Sequence, residues 1–211
     1  MQVPVPVNDN NESAGAVPPR GAAARTRALM VSTATEMMRR GLSPSVSEVA
    51  EAAGVSRSTA YRYFPTLADM LRAVVAEALG PILNWQGCDQ DARGRLAELY
   101  ATAFPRISEH EATFRAALRQ SIEPNAEKPG DVTLGRGHRR DLLARAVGSL
   151  HLPPVQATRL VQALSLTFGI EALIVLKDIC GLSDRDAQDV ALWAAAALLD
   201  AARHEAGSAE A

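Results

Sequence analysis

The sequence predicts an all-α protein in which a small N-terminal three-helix bundle is followed by a larger helical domain. Alanine and leucine dominate a composition that is 47% hydrophobic and only 4% aromatic, which favours helices over a β-sandwich or barrel. Apolar residues recur at helical spacing through most of the chain. A length of 211 residues suits one large domain, or a small domain with a larger companion.

Composition and periodicity divide the chain into four segments. Prolines among polar residues leave residues 1–19 without helical periodicity, so we expect a disordered tail there. The small domain covers residues 20–80 and the larger one residues 81–205. A flexible C-terminus is expected at residues 206–211.

The small domain is organised around two short helices joined by a glycine turn, at residues 45–64. Ser45 and Glu48 have the spacing of a capping box at the start of the first helix. Gly54 lies at the turn, where glycine adopts a positive φ without steric penalty. The second helix presents mostly hydrogen-bond donors on its outward face. A polar and aromatic face of this kind predicts a helix-turn-helix motif whose partner is the major groove of DNA.

The other helices follow from apolar stripes and stop signals. A first helix over about residues 20–40 ends at Gly41, and a fourth runs from Leu67 to Leu79, where Gly80 and Pro81 weaken it. In the larger domain we expect a loop at residues 123–137 and helices near residues 91–107, 110–123, 137–151, 154–180 and 184–205.

Positive charge is concentrated in the small domain. Residues 20–72 hold eight arginines and four acidic residues, whereas the whole chain has a formal net charge of −2. Such a basic segment is the electrostatic footprint of a nucleic-acid-binding module.

The expected compartment is the cytoplasm. No apolar run reaches the length needed to span a membrane, and the N-terminus lacks the basic start and apolar core of a secretory signal. The two cysteines, Cys88 and Cys180, are far apart in sequence and are expected to be reduced.

The run E-V-A-E-A-A-G-V-S-R-S-T-A-Y-R-Y-F-P-T at residues 48–66, placed after a basic first helix, resembles the TetR/AcrR family of transcriptional regulators. The resemblance is specific over about residues 20–80 and extends beyond them only as architecture. It implies a homodimer that binds a palindromic operator in double-stranded DNA. It also implies a repressor that a small apolar or amphipathic effector releases, with no cofactor.

By the same resemblance, DNA contacts come mostly from the second helix of the motif and the start of the first. Arg57 is the candidate base reader, because a guanidinium can bridge O6 and N7 of guanine, although a phosphate contact is equally open. The tyrosines are expected to touch phosphates. Many relatives carry a lysine where this chain has Leu67, so a phosphate contact from that side chain is lost. The positions assigned to DNA are Arg25, Val46, Ser47, Arg57, Ser58, Thr59, Tyr61, Tyr63 and Thr66.

A ligand pocket is expected in the larger domain, because such pockets are mainly apolar and aromatic. Glu171 stands in an apolar run and is either a ligand-contacting group or a paired carboxylate, and pairing is favoured because buried charges are normally paired. The aromatic candidates are, taken singly, more often core residues. The candidate pocket residues are Trp85, Tyr100, Phe104, Phe114, Phe168 and Glu171.

A dimer interface is expected from the last two helices. They are apolar over more than one stripe, which indicates more than one partner, and a two-fold interface uses the same patch twice. The alternative is that both helices belong to the core of a single chain. The candidate interface residues are Leu173, Leu192, Trp193, Ala196 and Leu199.

Two other classes of function compete with a ligand-responsive regulator. An enzyme is disfavoured, because the chain has no P-loop, G-x-S-x-G or H-E-x-x-H motif. Its four histidines have no spacing typical of metal ligands, so no metal site is expected. A DNA-binding architectural protein without an effector is the other alternative, and an apolar domain larger than dimerisation requires disfavours it.

Overall fold

The computed structural model describes residues 20–122 and 136–209, and within them the chain is helical and contains no strand. The all-α prediction is therefore confirmed. The predicted tail at 1–19 and most of the predicted loop at 123–137 lie outside the described residues. The helices in the described residues are α1 (Arg20–Arg39), α2 (Val46–Ala52), α3 (Arg57–Tyr63), α4 (Leu67–Leu83), α5 (Ala92–Glu109), α6 (Glu111–Ile122), α7 (Arg136–Val147), α8 (Pro154–Leu164), α9 (Ile170–Leu173) and α10 (Asp184–Ala209). A 3₁₀ turn follows α7 at Gly148–Leu150, and a π-helical segment, Ile174–Ile179, continues α9.

Local capping signals begin the short helices of the small domain. The backbone N–H of Glu48 donates to Ser45 Oγ, and the backbone N–H of Ser45 donates to the Glu48 carboxylate at 2.7 Å. Ser56 caps α3 and Thr66 caps α4 in the same way through their hydroxyl oxygens. Gly54, between α2 and α3, has φ +65°. The capping box and the glycine turn are both confirmed.

Two hydrophobic cores organise the fold. The smaller core lies among α1, α2, α3 and α4 and includes Met30 and Phe64. The larger core packs α4 to α10 around residues such as Tyr100. Helix α4 serves both, since Val74 belongs to the smaller core and Val75 to the larger. The domain boundary placed at residue 80 therefore falls inside α4 and stays a prediction.

Helix α4 continues further than predicted. It ends at Leu83 rather than Leu79, with Pro81 in its last turn. Because Pro81 has no N–H, it removes one intrahelical bond near the helix end, where the loss is smallest. The Nε of Arg106 donates to the carbonyl of Ala78 at 3.1 Å, which supports this part of the helix from α5.

The continuous helix predicted at 154–180 is wrong. Helix α8 ends at Leu164, the chain turns through residues 165–169, and α9 begins at Ile170. Gly169 has φ +113° and ψ −174°, a backbone conformation that cannot continue an α-helix. The structure therefore has two helices joined by a turn where the sequence predicts one helix.

The C-terminal helix is longer than predicted. Helix α10 continues to Ala209, beyond the end at residue 205 that the sequence predicts, and residues 210–211 lie outside the described part. The flexible C-terminus at residues 206–211 stays a prediction. Among the helices of residues 20–122 and 136–209, none combines the length and hydropathy that crossing a bilayer requires.

Candidate nucleic-acid interface and adjoining cavity

Helix α3 turns most of its side chains toward solvent. Of its seven residues only Ala60 is buried, and Phe64, which follows the helix, is 1% exposed and anchors it in the smaller core. Arg57 and Arg62 are exposed. Tyr61 is 46% exposed although its ring is large. A helix with one buried side chain contributes little to a core, so its outward face is available to a polar partner.

Hydrogen bonds join α2 to α3 and order the start of α3. The hydroxyls of Ser47 and Tyr61 lie 3.1 Å apart and form a hydrogen bond between the two helices. The Ser56 hydroxyl donates to Thr59 Oγ1 at 2.9 Å and lies 3.2 Å from Ser58 Oγ. Five polar side chains are thus held in one surface, four of which the sequence assigned to DNA.

Two arginines stack on aromatic rings at or below this surface. The guanidinium of Arg27 lies over the Phe64 ring at 5.3 Å, and that of Arg62 lies over the Tyr63 ring at 5.4 Å. Such contacts orient a cation without neutralising it. Arg25 is exposed on the same helix as Arg27. The sequence analysis assigned no role to Arg62.

Two residues assigned to DNA have other contacts. Val46 is 4% exposed and lies in the smaller core, so its side chain does not reach the surface, because it belongs to the apolar face of α2. The Thr66 hydroxyl donates to the Asp69 carboxylate at 2.6 Å. That hydrogen bond lowers the pKa of Asp69. Leu67 is 40% exposed at the start of α4.

A cavity of about 470 Å³ lies in the larger domain, beside α4, α6, α7 and the turn between α8 and α9. Its volume is within the range of sites that hold small ligands. Polar side chains line its solvent side, among them Arg139, Arg140 and Glu171. Its apolar walls include Ile82, Leu83, Ile107, Phe114, Leu142 and Phe168.

Three of the six predicted pocket residues line this cavity: Phe114, Phe168 and Glu171. The Glu171 carboxylate is also paired, since Arg139 Nη2 donates to it at 2.5 Å. The two interpretations left open for Glu171 are thus compatible. Arg139 had no role in the sequence analysis, because it lies 32 positions away and nothing local identifies it as the partner.

The other three predicted pocket residues lie in the larger core outside the cavity lining. Trp85 is 8% exposed, and the rings of Tyr100 and Phe104 are stacked with centroids 5.2 Å apart. The hydroxyl of Tyr100 is 2.7 Å from Thr167 Oγ1, in the turn that follows α8. Burial raises the pKa of Tyr100 to about 12. This aromatic cluster supports the cavity wall through Phe168, whose ring meets that of Tyr100.

Two of the residues predicted for the dimer interface are buried within the chain. Leu173 and Leu199 are 0% exposed, so they cannot contact a second copy, and their assignment to the interface is wrong. Leu192 and Ala196 are half-buried, and Trp193 is 73% exposed. The buried stripe of α10 consists mostly of alanines. Because other faces of this helix are also apolar, the sequence pattern alone does not show which stripe is buried. These buried residues are Ala187, Ala191, Ala195, Leu199 and Ala202.

A network of ion pairs joins α6 to the π-helical segment and to α10. Arg115 donates to both carboxylate oxygens of Asp178 at 2.6 and 2.7 Å, and also to Glu111. Lys177 bridges Glu111 and Asp184 at 2.5 Å each. The hydrogen bond from Arg115 lowers the pKa of Asp178. Helix α6 also packs on α1 and α4, so this network connects the region beside the cavity to the small domain.

Comparisons with known proteins agree with this arrangement. Residues 29–74 match the family model described as bacterial regulatory proteins, tetR family. No curated protein matches the chain. The crystal structure of a TetR transcriptional regulator from Rhodococcus sp. RHA1 is similar, with 20% sequence identity and a TM-score of 0.62 over 83% of this chain and 97% of that chain. A tetR-family transcriptional regulator from Streptomyces coelicolor is also similar, with 18% identity and a TM-score of 0.69 over 88% of this chain and 86% of that chain. At these identities the two structures show a common fold.

Proposed function

Because this chain is a transcriptional regulator of the TetR family, we propose that it is a repressor that binds a palindromic operator as a homodimer. A small apolar or amphipathic effector releases it from the operator. The observation that carries the proposal is α3, a capped helix with one buried residue and an outward face of arginines, hydroxyls and a tyrosine. This face has the size and polarity of a helix that enters the major groove.

The side chains of the motif divide into two roles. Arg57 reads a base, because its guanidinium is exposed at the first position of α3 and offers two parallel donors. Tyr61 contacts a phosphate, and its bond to Ser47 fixes the direction of its hydroxyl. Arg25 contacts the backbone from α1. Ser58, Thr59, Tyr63 and Thr66 complete the proposed surface.

A second copy of the chain is proposed to cover the outer face of α10 and its neighbours. Helix α10 packs on α8, α9 and the π-helical segment. Large apolar side chains remain exposed on these elements and on the turn between α8 and α9, with Leu166 at 80%, Ile179 at 76% and Trp193 at 73%. A second copy packed on this face would remove these apolar side chains from water. A two-fold dimer places two copies of α3 in successive major grooves, roughly 34–36 Å apart.

The cavity is proposed as the effector site, because its walls belong to helices that also build the small domain. Helix α4 contributes Ile82 and Leu83 to the cavity and Val74 to the smaller core. Helix α6 contributes Phe114 and packs on α1. A ligand in the cavity that binds best when α4 and α6 are spaced differently favours that conformation of the chain. Because α4 and α6 also pack in the small domain, the same conformational change moves the two α3 helices of the dimer away from the spacing that fits DNA.

The test is fluorescence anisotropy with labelled DNA fragments that flank the coding region, at several salt concentrations. We expect tight binding to one fragment with a steep salt dependence. Tyr61→Ala weakens binding to all sequences, whereas Arg57→Ala costs roughly 1–3 kcal/mol on the operator and relaxes preference at one base pair per half-site. Arg119→Ala, an exposed arginine of α6, is the matched control and leaves affinity unchanged.

Each part of the proposal has its own contrary result. Equal losses for Arg57→Ala on operator and scrambled DNA would assign Arg57 to a phosphate instead of a base. Light scattering of Trp193→Glu should give a monomer where the wild type gives a dimer, and an unchanged dimer would place the interface elsewhere. Absence of binding to any DNA at low salt would overturn the proposed function.

A further inference from the structure

We propose that the cavity takes an apolar ligand that carries one carboxylate, and that Arg139 binds this carboxylate in place of Glu171. The inference deepens the proposed function, on which it rests for the identification of the cavity as the effector site. Binding itself can be measured without DNA, so the two can be tested separately.

The charges around the cavity favour an anion. Among the lining residues that the structure describes, Glu171 is the single carboxylate, whereas Arg139 and Arg140 bring two guanidinium groups, and the one of Arg139 pairs with Glu171. A cationic ligand would enter a region that already carries excess positive charge, whereas an anionic one neutralises it. The apolar walls then receive the remainder of the ligand.

The geometry of Arg139 allows the exchange. Its Nη2 donates to one oxygen of Glu171 at 2.5 Å, and its Nη1 is 3.4 Å from the carbonyl of Ser165, which is a long contact. Arg139 therefore holds Glu171 with one hydrogen bond and not with the two parallel ones with which a guanidinium holds a carboxylate best. The side chains of Arg139 and Glu171 are 32% and 47% exposed, so water already screens the pair. Exchanging one partner of a partly solvated pair for another carboxylate costs little.

The break between α8 and α9 makes room for this arrangement. A Cβ on Gly169 would lie 2.5 Å from Arg139 Nη2 and 3.1 Å from the Glu171 carboxylate. The positive φ of Gly169, +113°, therefore places bare backbone where the guanidinium approaches. On this backbone a side chain larger than hydrogen at position 169 would force the Arg139 guanidinium to shift.

The test compares ligands that share an apolar body and differ only in the head group. Decanoate, decanol and decylammonium are titrated calorimetrically into the full chain without DNA, and 4-phenylbutyrate with 4-phenylbutanol provides an aromatic body. We expect each acid to bind about tenfold tighter than its neutral counterpart, the difference that a charge-assisted hydrogen bond makes. Decylammonium should bind weakest.

Three variants locate the head group. Arg139→Gln should remove the preference for the acids while the affinity for decanol changes by less than about twofold. Glu171→Gln should tighten the binding of the acids, because it removes the competing carboxylate. Arg93→Gln is the matched control: it also breaks an exposed ion pair, with Asp200, outside the cavity lining, and should change neither affinity.

The inference is overturned if decanol or decylammonium binds as tightly as decanoate, if neither acid binds, or if Glu171→Gln weakens the acids. Should Arg139→Gln fail to fold, the wild-type ligand series and Glu171→Gln still decide the matter. A protein that binds its operator but none of the acids overturns this inference and leaves the proposed regulator intact. If the acids bind but do not release the protein from DNA, the inference about the cavity holds and the proposed effector mechanism is overturned.

Discussion

The small and the large domain present their functional surfaces in opposite directions, and they build them from contacts of different range. The polar face of α3 points outward and is oriented by hydrogen bonds between residues at most 14 positions apart. The cavity faces inward, and its supporting contacts join Arg139 to Glu171 over 32 positions and Tyr100 to Thr167 over 67. An outward binding surface can therefore be specified locally, whereas an enclosed one depends on tertiary packing.

The largest effect is expected in the smaller core, on which the outward surface depends. Phe64→Ala removes a side chain that is 1% exposed and that supports Arg27, so the free energy of unfolding should fall by about 3–5 kcal/mol. Urea denaturation followed by circular dichroism measures the loss, and anisotropy should show that DNA binding disappears with it.

Arg57→Ala is the control for Phe64→Ala. Because Arg57 is exposed, its removal should change the free energy of unfolding by less than about 0.5 kcal/mol while still weakening operator binding. A comparable loss of stability in both variants would show that the outward face of α3 belongs to the core.

The second-largest effect is a loss of stability of the larger domain at high pH. Burial raises the pKa of Tyr100 from 10.0 to about 12, so the folded state holds the phenol proton more tightly than the unfolded chain. This contribution is fully present below about pH 10 and is lost as the pH rises to about 12, a decrease of about 2–3 kcal/mol in the free energy of unfolding. Denaturation curves between about pH 9 and pH 12, taken in steps of roughly half a unit, measure this decrease. The Tyr100→Phe variant has no group that ionises at this position, so its free energy of unfolding should fall less over the same pH range. An equal fall would assign the pH dependence to other groups.

The same difference in range explains what the sequence could predict. The capping box of Ser45 and Glu48 and the turn at Gly54 were predictable, because each signal lies within a few residues of the structure it determines. The break at Gly169 was not predictable, because an isolated glycine in an apolar run is compatible with a continuous helix. Only the approach of Arg139 from α7 distinguishes this glycine from an ordinary one.

The binding surfaces follow the same division. The exposed residues of α3 could be identified from their chemistry and spacing, whereas Val46, which was assigned to DNA from α2, faces the core. In the larger domain, apolar and aromatic residue types could not separate the cavity wall from the core around it. Phe114 lines the cavity and Phe104 does not, and nothing in their sequence neighbourhoods shows the difference.

The third prediction compares a glycine-to-alanine substitution in the larger domain with one in the small domain. Gly169→Ala puts a Cβ 2.5 Å from Arg139 Nη2 at φ +113°, so it should cost about 1–3 kcal/mol for the backbone alone and also displace the guanidinium. Gly54→Ala has a positive φ but meets no atom within 4 Å, and should cost about 1 kcal/mol. Chemical denaturation compares the two. Equal costs would mean that Arg139 moves aside freely and that the break does not depend on its approach.

The smallest effect tests whether local signals act equally in the two domains. Ser45 caps α2 and Ser183 caps α10, and each hydroxyl oxygen accepts a backbone N–H at 3.2 Å, from Glu48 and from Asp186. Ser45→Ala and Ser183→Ala should each lower the free energy of unfolding by about 1 kcal/mol. Equal costs would place the difference between the domains in their tertiary contacts and not in the signals that begin their helices. A clearly larger cost for Ser45→Ala would show instead that a seven-residue helix depends on its cap more than a 26-residue helix does.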